Sequence, residues 1–126
     1  MPRKKPEPRS ESKLLTEAIL KGMLDKKAND PVVLDLSKLD QAVCNAFVIC
    51  DGTSRTQVEA IADAVLSKVK KERGESPWNK EGFENAEWIL IDYADVVVHI
   101  FQDTRRSFYN LENLWGDAEM SRIESP

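Results

Sequence analysis

Three groups of residues in this chain of 126 have the types and spacing that do chemistry. The first, Asp51-Gly52-Thr53-Ser54, sets a carboxylate, a glycine and two hydroxyls ahead of an apolar-periodic stretch. Backbone N–H groups at such a strand-to-helix junction can hold phosphate. The group lacks the lysine of a P-loop and the three glycines of a dinucleotide fingerprint. A helix cap accounts for each residue in it: Ser54 and Gln57 have the form of a capping box, and Gly52 gives freedom for a sharp turn. The second group is Asp92 and Asp95, which with Asp51 could gather a magnesium ion for nucleotidyl transfer. Carboxylates sharing one face of a strand lie two residues apart. These are three apart with a turn between them, and no nearby lysine or arginine is placed for a triphosphate. A turn whose Asp side chains bond the local backbone is the simpler reading. The third is His99, the only histidine, which shares strand parity with Val97 and Phe101 and reads as a hydrogen-bonded core residue. No Ser-His-Asp or Cys-His arrangement is readable.

The elements that must position these groups follow from periodicity. Trp88–Ile91 and Val96–Phe101 are apolar, largely β-branched runs around a short polar break, the pattern of two adjacent strands near the middle of a sheet. Trp88, Leu90 and Asp92 share parity and can present one face that is aromatic, aliphatic and acidic. Val32–Leu36 and Ala46–Cys50 read as two further strands. Leu15, Ala18, Ile19, Gly22 and Met23 form the stripe of a first helix, capped by Ser12 and failing around Ala28–Pro31. Val58, Ile61, Ala62, Val65, Leu66 and Val69 form the stripe of a second, with Gly74 as its C′ residue. Lys68, Lys70, Lys71 and Arg73 suit the dipole at its end. Ser76–Gly82, which contains Pro77, Trp78 and Gly82, is a loop or a short edge strand. Asp103 or Thr104 is expected to cap a last helix carrying Phe108, Leu111, Leu114 and Trp115 and ended by Gly116. No internal repeat is visible.

Composition sets the class. The length suits one domain with its own core. At 41% apolar and 32% charged, with no apolar run near ~20 residues, the chain is not read as spanning a membrane. Met1–Arg9 is followed by no long apolar stretch, so no secretory signal is expected. Cys44 and Cys50 have no histidine near them for a zinc site and suggest no disulfide framework; a reducing, cytoplasmic compartment is expected. Residues 1–11 hold four basic and two acidic side chains and read as a disordered basic tail. The remainder carries 14 basic and 20 acidic side chains, a net of −6, which suits a basic protein surface better than nucleic acid. The folded domain is expected over residues 12–116, with a flexible tail over 117–126.

Several of these residues also carry a resemblance. Gly52-Thr53-Ser54, then Glu81-Gly82 with Trp88 six residues beyond the glycine, then Trp88-Ile89-Leu90-Ile91-Asp92 and Asp95-Val96-Val97-Val98-His99-Ile100-Phe101 occur in order. Arg106, Tyr109, Leu111, Glu112, Leu114 and Trp115 follow at fixed spacing. From Leu14 to Trp115 the chain closely resembles the ribosomal silencing factor, or Iojap-like, family, except that the family's usual glycine before the second Asp of the turn is here Ala94. The resemblance implies an α/β domain with a mixed, approximately five-stranded sheet flanked by helices, nucleotidyltransferase-like but without a working catalytic site or cofactor. It further implies binding to the universal protein fourteen of the large ribosomal subunit, a steric block to small-subunit joining, and repression of translation under nutrient limitation. Trp88 and Asp92 are the implied contact residues, with Tyr93 and Asp95 behind them. A homodimer is a further partner to consider, and no nucleic-acid contact is expected beyond the tail. The alternative is a nucleotide-binding enzyme with magnesium at Asp51, Asp92 and Asp95.

Overall fold

At the centre of the sheet lie two parallel strands, β2 (Ala46–Gly52) and β5 (Val96–Gln102), paired from Ala46 opposite Val96 to Gly52 opposite Gln102. A parallel pair needs a crossover, supplied by the helix α2 (Arg55–Arg73) and the hairpin of β3 (Asn79–Glu81) and β4 (Trp88–Asp92). The computed structural model describes residues 8–39, 44–110 and 118–123. Within them, α1 (Pro8–Asp25) leads into β1 (Asn29–Asp35), and α3 (Asp103–Tyr109) and β6 (Glu119–Arg122) follow β5. The sheet runs β3-β4-β5-β2-β1-β6, antiparallel except for β2 with β5. It is thus a mixed sheet of six strands, one more than about five. The additional strand, β6, falls where the sequence suggested a flexible tail. All four of its residues are exposed, so no apolar alternation announces it.

Helices α1 and α2 pack side by side on one face, which we call the back. The contact is close because a Cβ on Gly22 would stand 2.8 Å from the Val65 Cα. Leu15, Ala18, Ile19 and Met23 of α1 and Val58, Ile61, Ala62, Val65 and Val69 of α2 close over Val48, Cys50, Ile89, Ile91, Val98 and Ile100. Burial on both sides explains why β5 is apolar without alternation, whereas β4, next to the edge, alternates half-buried and buried residues.

Helix ends depart from expectation for local reasons. α1 begins at Pro8, and Ser12 is not its cap: the buried Ser12 hydroxyl accepts from Asn45 Nδ2 at 2.8 Å. Its stop comes before Pro31, at Lys27, which takes φ +57° while Lys27 N donates to Leu24 O and Ala28 N to Met23 O. That is a Schellman end without its usual glycine. Pro31 is instead absorbed into β1, at the register shift between Asn29 and Val32. α3 starts after Gln102 with no side-chain cap and has its C-cap at Asn110, φ +48°. Leu111, Leu114, Trp115 and Gly116 lie outside the described residues.

Candidate functional site

The front face of the sheet carries a grid of side chains set by strand register. Trp88 stands opposite Phe101, Leu90 opposite His99, and Asp92 opposite Val97. From the other side of β5, Phe47 stands opposite Val97 and Ile49 opposite His99. His99 is therefore central, 4% exposed, with Trp88, Leu90, Phe47 and Asp92 half-buried around it. Neither long helix covers this face; Val32, Leu34, Leu36, Ile49, Val97 and Phe101 pack here with Phe47, Trp88 and Leu90. The shared parity of Trp88, Leu90 and Asp92 holds.

Ring contacts fix the aromatic part. Trp88 stacks on Phe101 with centroids 5.2 Å apart, and Phe47 meets His99 edge-on at 4.6 Å. Trp88 Nε1–H donates to His99 Nδ1 at 3.0 Å, a diagonal cross-strand pair. An imidazole that accepts at Nδ1 and is neutral carries its proton on Nε2. Burial pushes its pKa down to about 4, so it is neutral at pH 7, and Nε2 has no partner among the described residues. His99 holds Trp88 in place, as a core histidine would. Of the two cysteines, both free, Cys50 packs on the back face and burial pushes the Cys44 thiol up to about 11.

The turn after β4 is self-supported. Ala94 N–H donates to Asp92 Oδ1 at 2.7 Å, and Ala94 takes φ +74° where the family pattern has glycine. Tyr93 N bonds Val96 O, and Asp95 O accepts from Asn45 N at 2.7 Å, which ties the turn to the start of β2. Asp95 is half-buried. Tyr93, a candidate contact residue by sequence, turns to the back face instead: it is 5% exposed within the helix-side core, and burial, with the Glu75 charge second, pushes its phenol up to about 12. Opposite parity to Asp92 is the reason. A second glycine explains part of the motif spacing: Gly82, at φ +88°, lies so near the next strand that a Cβ would fall 1.9 Å from Trp88 O.

The three aspartates of the magnesium alternative do not meet. Asp51 aligns with Phe101 and Asp92 with Val97, four residues apart along β5 and so roughly 13 Å along the strand direction. Asp51 is instead buried against Arg106, whose Nη1 lies 3.0 Å from Asp51 Oδ2 and donates to Asp30 O at 2.7 Å. Arg122 of β6 pairs with Asp30 and, first among the causes, holds that carboxyl below its usual range. This Arg106–Asp51–Asp30–Arg122 network joins α3, β2, β1 and β6. The sequence offered Arg106 only as part of a motif; its partner sits 55 residues away. Among the described residues no group of three or more His, Cys, Asp or Glu is placed to hold a metal. The Gly52–Ser54 junction is a cap: Ser54 Oγ accepts from Gln57 N at 3.1 Å, and Gln57 Oε1 turns back to Thr53 N at 2.7 Å. Gly52 serves close packing rather than an unusual φ, since a Cβ there would meet Val58 and Gln57 at 3.2–3.3 Å.

Fold and site together define a small α/β domain with helices layered on one face of its sheet and an apolar, acid-ended face on the other. The chain matches the family described as "Ribosomal silencing factor during starvation" over residues 8–126, and it belongs to that family. It is 46% identical to the ribosomal silencing factor RsfS of Halalkalibacterium halodurans over 79% of this chain and 84% of the relative. Identity to that of Bacillus subtilis is 43%, over 79% and 83%. The chloroplast Iojap protein of Arabidopsis thaliana is 34% identical over 93% of this chain and 47% of its own length. A crystal structure of a Chromobacterium violaceum protein superposes with a TM-score of 0.77 at 32% identity, covering 90% of this chain and 93% of that one. One from Bacillus halodurans gives 0.72 at 38% identity, covering 89% and 98%.

Proposed function

We propose that this chain silences ribosomes by seating its front face on a basic protein of the large subunit, the universal protein fourteen, so that the small subunit cannot join. Translation falls when nutrients are short, and no chemistry is involved. The observation that carries this reading is the front face itself. It presents Phe47, Leu90 and a Trp88 held rigid by Phe101 and His99, and it ends in the Asp92–Asp95 turn. A fixed aromatic anchor beside aliphatic surface, rimmed by carboxylates, is the chemistry that meets a basic protein. Asp92 and Asp95 supply the charge; Tyr93 supports their turn from behind. Both free cysteines suit a reducing cytoplasm, and no helix among the described residues is long and apolar enough to cross a membrane.

Large subunits mixed with the protein and then with small subunits, followed by sedimentation, test the proposal. The wild-type protein at saturation keeps the subunits apart. Leu90→Lys sets a cation in the middle of the face, and Asp92→Asn removes its charge while keeping the oxygen that Ala94 N needs; both let subunits join. Undisturbed joining with wild type, or full blocking by both folded variants, would overturn the reading. Nucleotide with magnesium is expected to leave the melting temperature unchanged, because a ligand that binds the native state raises it by mass action.

A further inference from the structure

We infer that the surface between the end of α2 and the start of β3 is a contact site for single-stranded RNA. A depression of about 480 Å³ opens there, floored by Leu66 and Pro77. Lys70 from α2 and Lys80 from β3 converge on it with the hydroxyl-bearing Ser67 and Ser76. The dipole at the helix end accounts for Lys70, but not for Lys80, which belongs to another element. Among the described residues neither lysine has a carboxylate partner, and the one acid in the lining, Glu75, is bound to Arg73 at 2.7 Å. Lys80 lies over Phe83, 5.8 Å from the ring centroid, which leaves its ammonium N–H groups free to donate. The set offers donors and positive charge to an anion.

The next residue after Pro77 says which anion. Trp78 is 82% exposed, the most exposed large apolar side chain described, and no ring or hydrogen-bond contact holds its indole. Lysines that track a phosphate backbone beside an aromatic plane on which a base stacks are the two parts of a single-strand site. A free phosphate needs only the first part. The place also fits: Trp78 N–H donates to Asp92 O at 2.7 Å, so the platform abuts the turn proposed to meet a ribosomal protein. A ribosome is built of RNA as well as protein, and in that respect the inference rests on the proposed function. The chain's net charge of −4 hides this patch, because an average over 126 residues says nothing of where two lysines converge.

The test needs no ribosome, so its failure is separable from failure of the subunit-joining reading. A fluorescein-labelled uridine dodecamer is titrated with the full chain at 50 mM salt, following both anisotropy and tryptophan emission. Binding with quenching of the emission that is lost in Trp78→Phe is expected. Trp78→Ala should weaken binding at least fivefold, the lower end of one base-stacking contact. Lys70→Gln with Lys80→Gln removes two phosphate contacts and should flatten the log–log salt slope by about 1.4. Arg3, Lys4 and Lys5 add a contribution common to all variants, which these differences cancel. Leu90→Lys, on the other surface, should bind RNA no worse than wild type. The inference is overturned if no anisotropy change occurs up to ~200 µM protein, about twice the ~100 µM weak end of non-specific binding. It is equally overturned if the lysine and tryptophan variants bind like wild type, or if polyglutamate competes as well as RNA.

Discussion

Lowering the pH from 7.5 to 5 should weaken this fold through His99. The imidazole is 4% exposed, it accepts from Trp88, and its folded pKa is about 4 against an ordinary 6.5. The folded value is the lower, so between these two values the unfolded chain binds the proton and the native one does not. Stability from the neutral, buried ring is therefore full above pH 6.5 and falls as the pH drops toward 4. Linkage gives a loss of about 2 kcal/mol by pH 5 and about 3 kcal/mol below pH 4, where both states are protonated. For a domain of this size about 2 kcal/mol lowers the melting temperature by roughly 8 °C. The Asp30 carboxyl acts outside this window: it is held below its ordinary value of 3.8, so what it adds is present above that value and is lost below it. Urea melts of wild type and His99→Gln at pH 7.5, 6, 5.5 and 5 make the comparison. His99→Gln cannot titrate, and whatever it costs in packing is the same at each pH. Wild-type and variant stabilities that fall in parallel from pH 7 to 5 would refute the reasoning.

Two further perturbations have defined signs. Arg106→Met strands the buried Asp51 carboxylate and should cost about 3 kcal/mol in urea unfolding; adding Asp51→Asn should return more than half of it, and an unchanged deficit in the double variant would show that the pair is not the cause. Two glycine exchanges should move stability in opposite directions by thermal melting. Ala94→Gly relaxes the φ of +74° and should gain up to about 1 kcal/mol, whereas Gly82→Ala drives a Cβ into Trp88 O and should cost at least ~3 kcal/mol by overpacking.

Much of the fold was legible in the sequence because burial leaves a periodic trace. The stripe from Val58 to Val69, its Ser54 cap and Gly74 stop appear where expected, Gly74 at φ +66°. The parity of Trp88, Leu90 and Asp92, and of Val97, His99 and Phe101, already put the apolar grid on one face. Features that lack such a trace were not legible. Lys27 ends α1 with no glycine to mark it, and β6 adds to the edge of β1 through backbone hydrogen bonds that any residue can make. Residues 8–11, read from sequence as part of a tail over 1–11, lie in α1; a charged, proline-bearing start leaves no apolar periodicity to mark that turn.

By itself the sequence determined most element types and the adjacency of β4 and β5, which rest on neighbours within about a dozen residues, and the motif order of the family. That β2 rather than β4 shares the centre of the sheet with β5 was not among them. Tertiary structure decided what those residues could do. It separated Asp51 from Asp92 along β5, turned Tyr93 to the back face, and brought Arg106 onto Asp51 and Lys80 beside Lys70. The physical reason is that strand order and register set such distances, and both are fixed by packing between segments far apart in the chain.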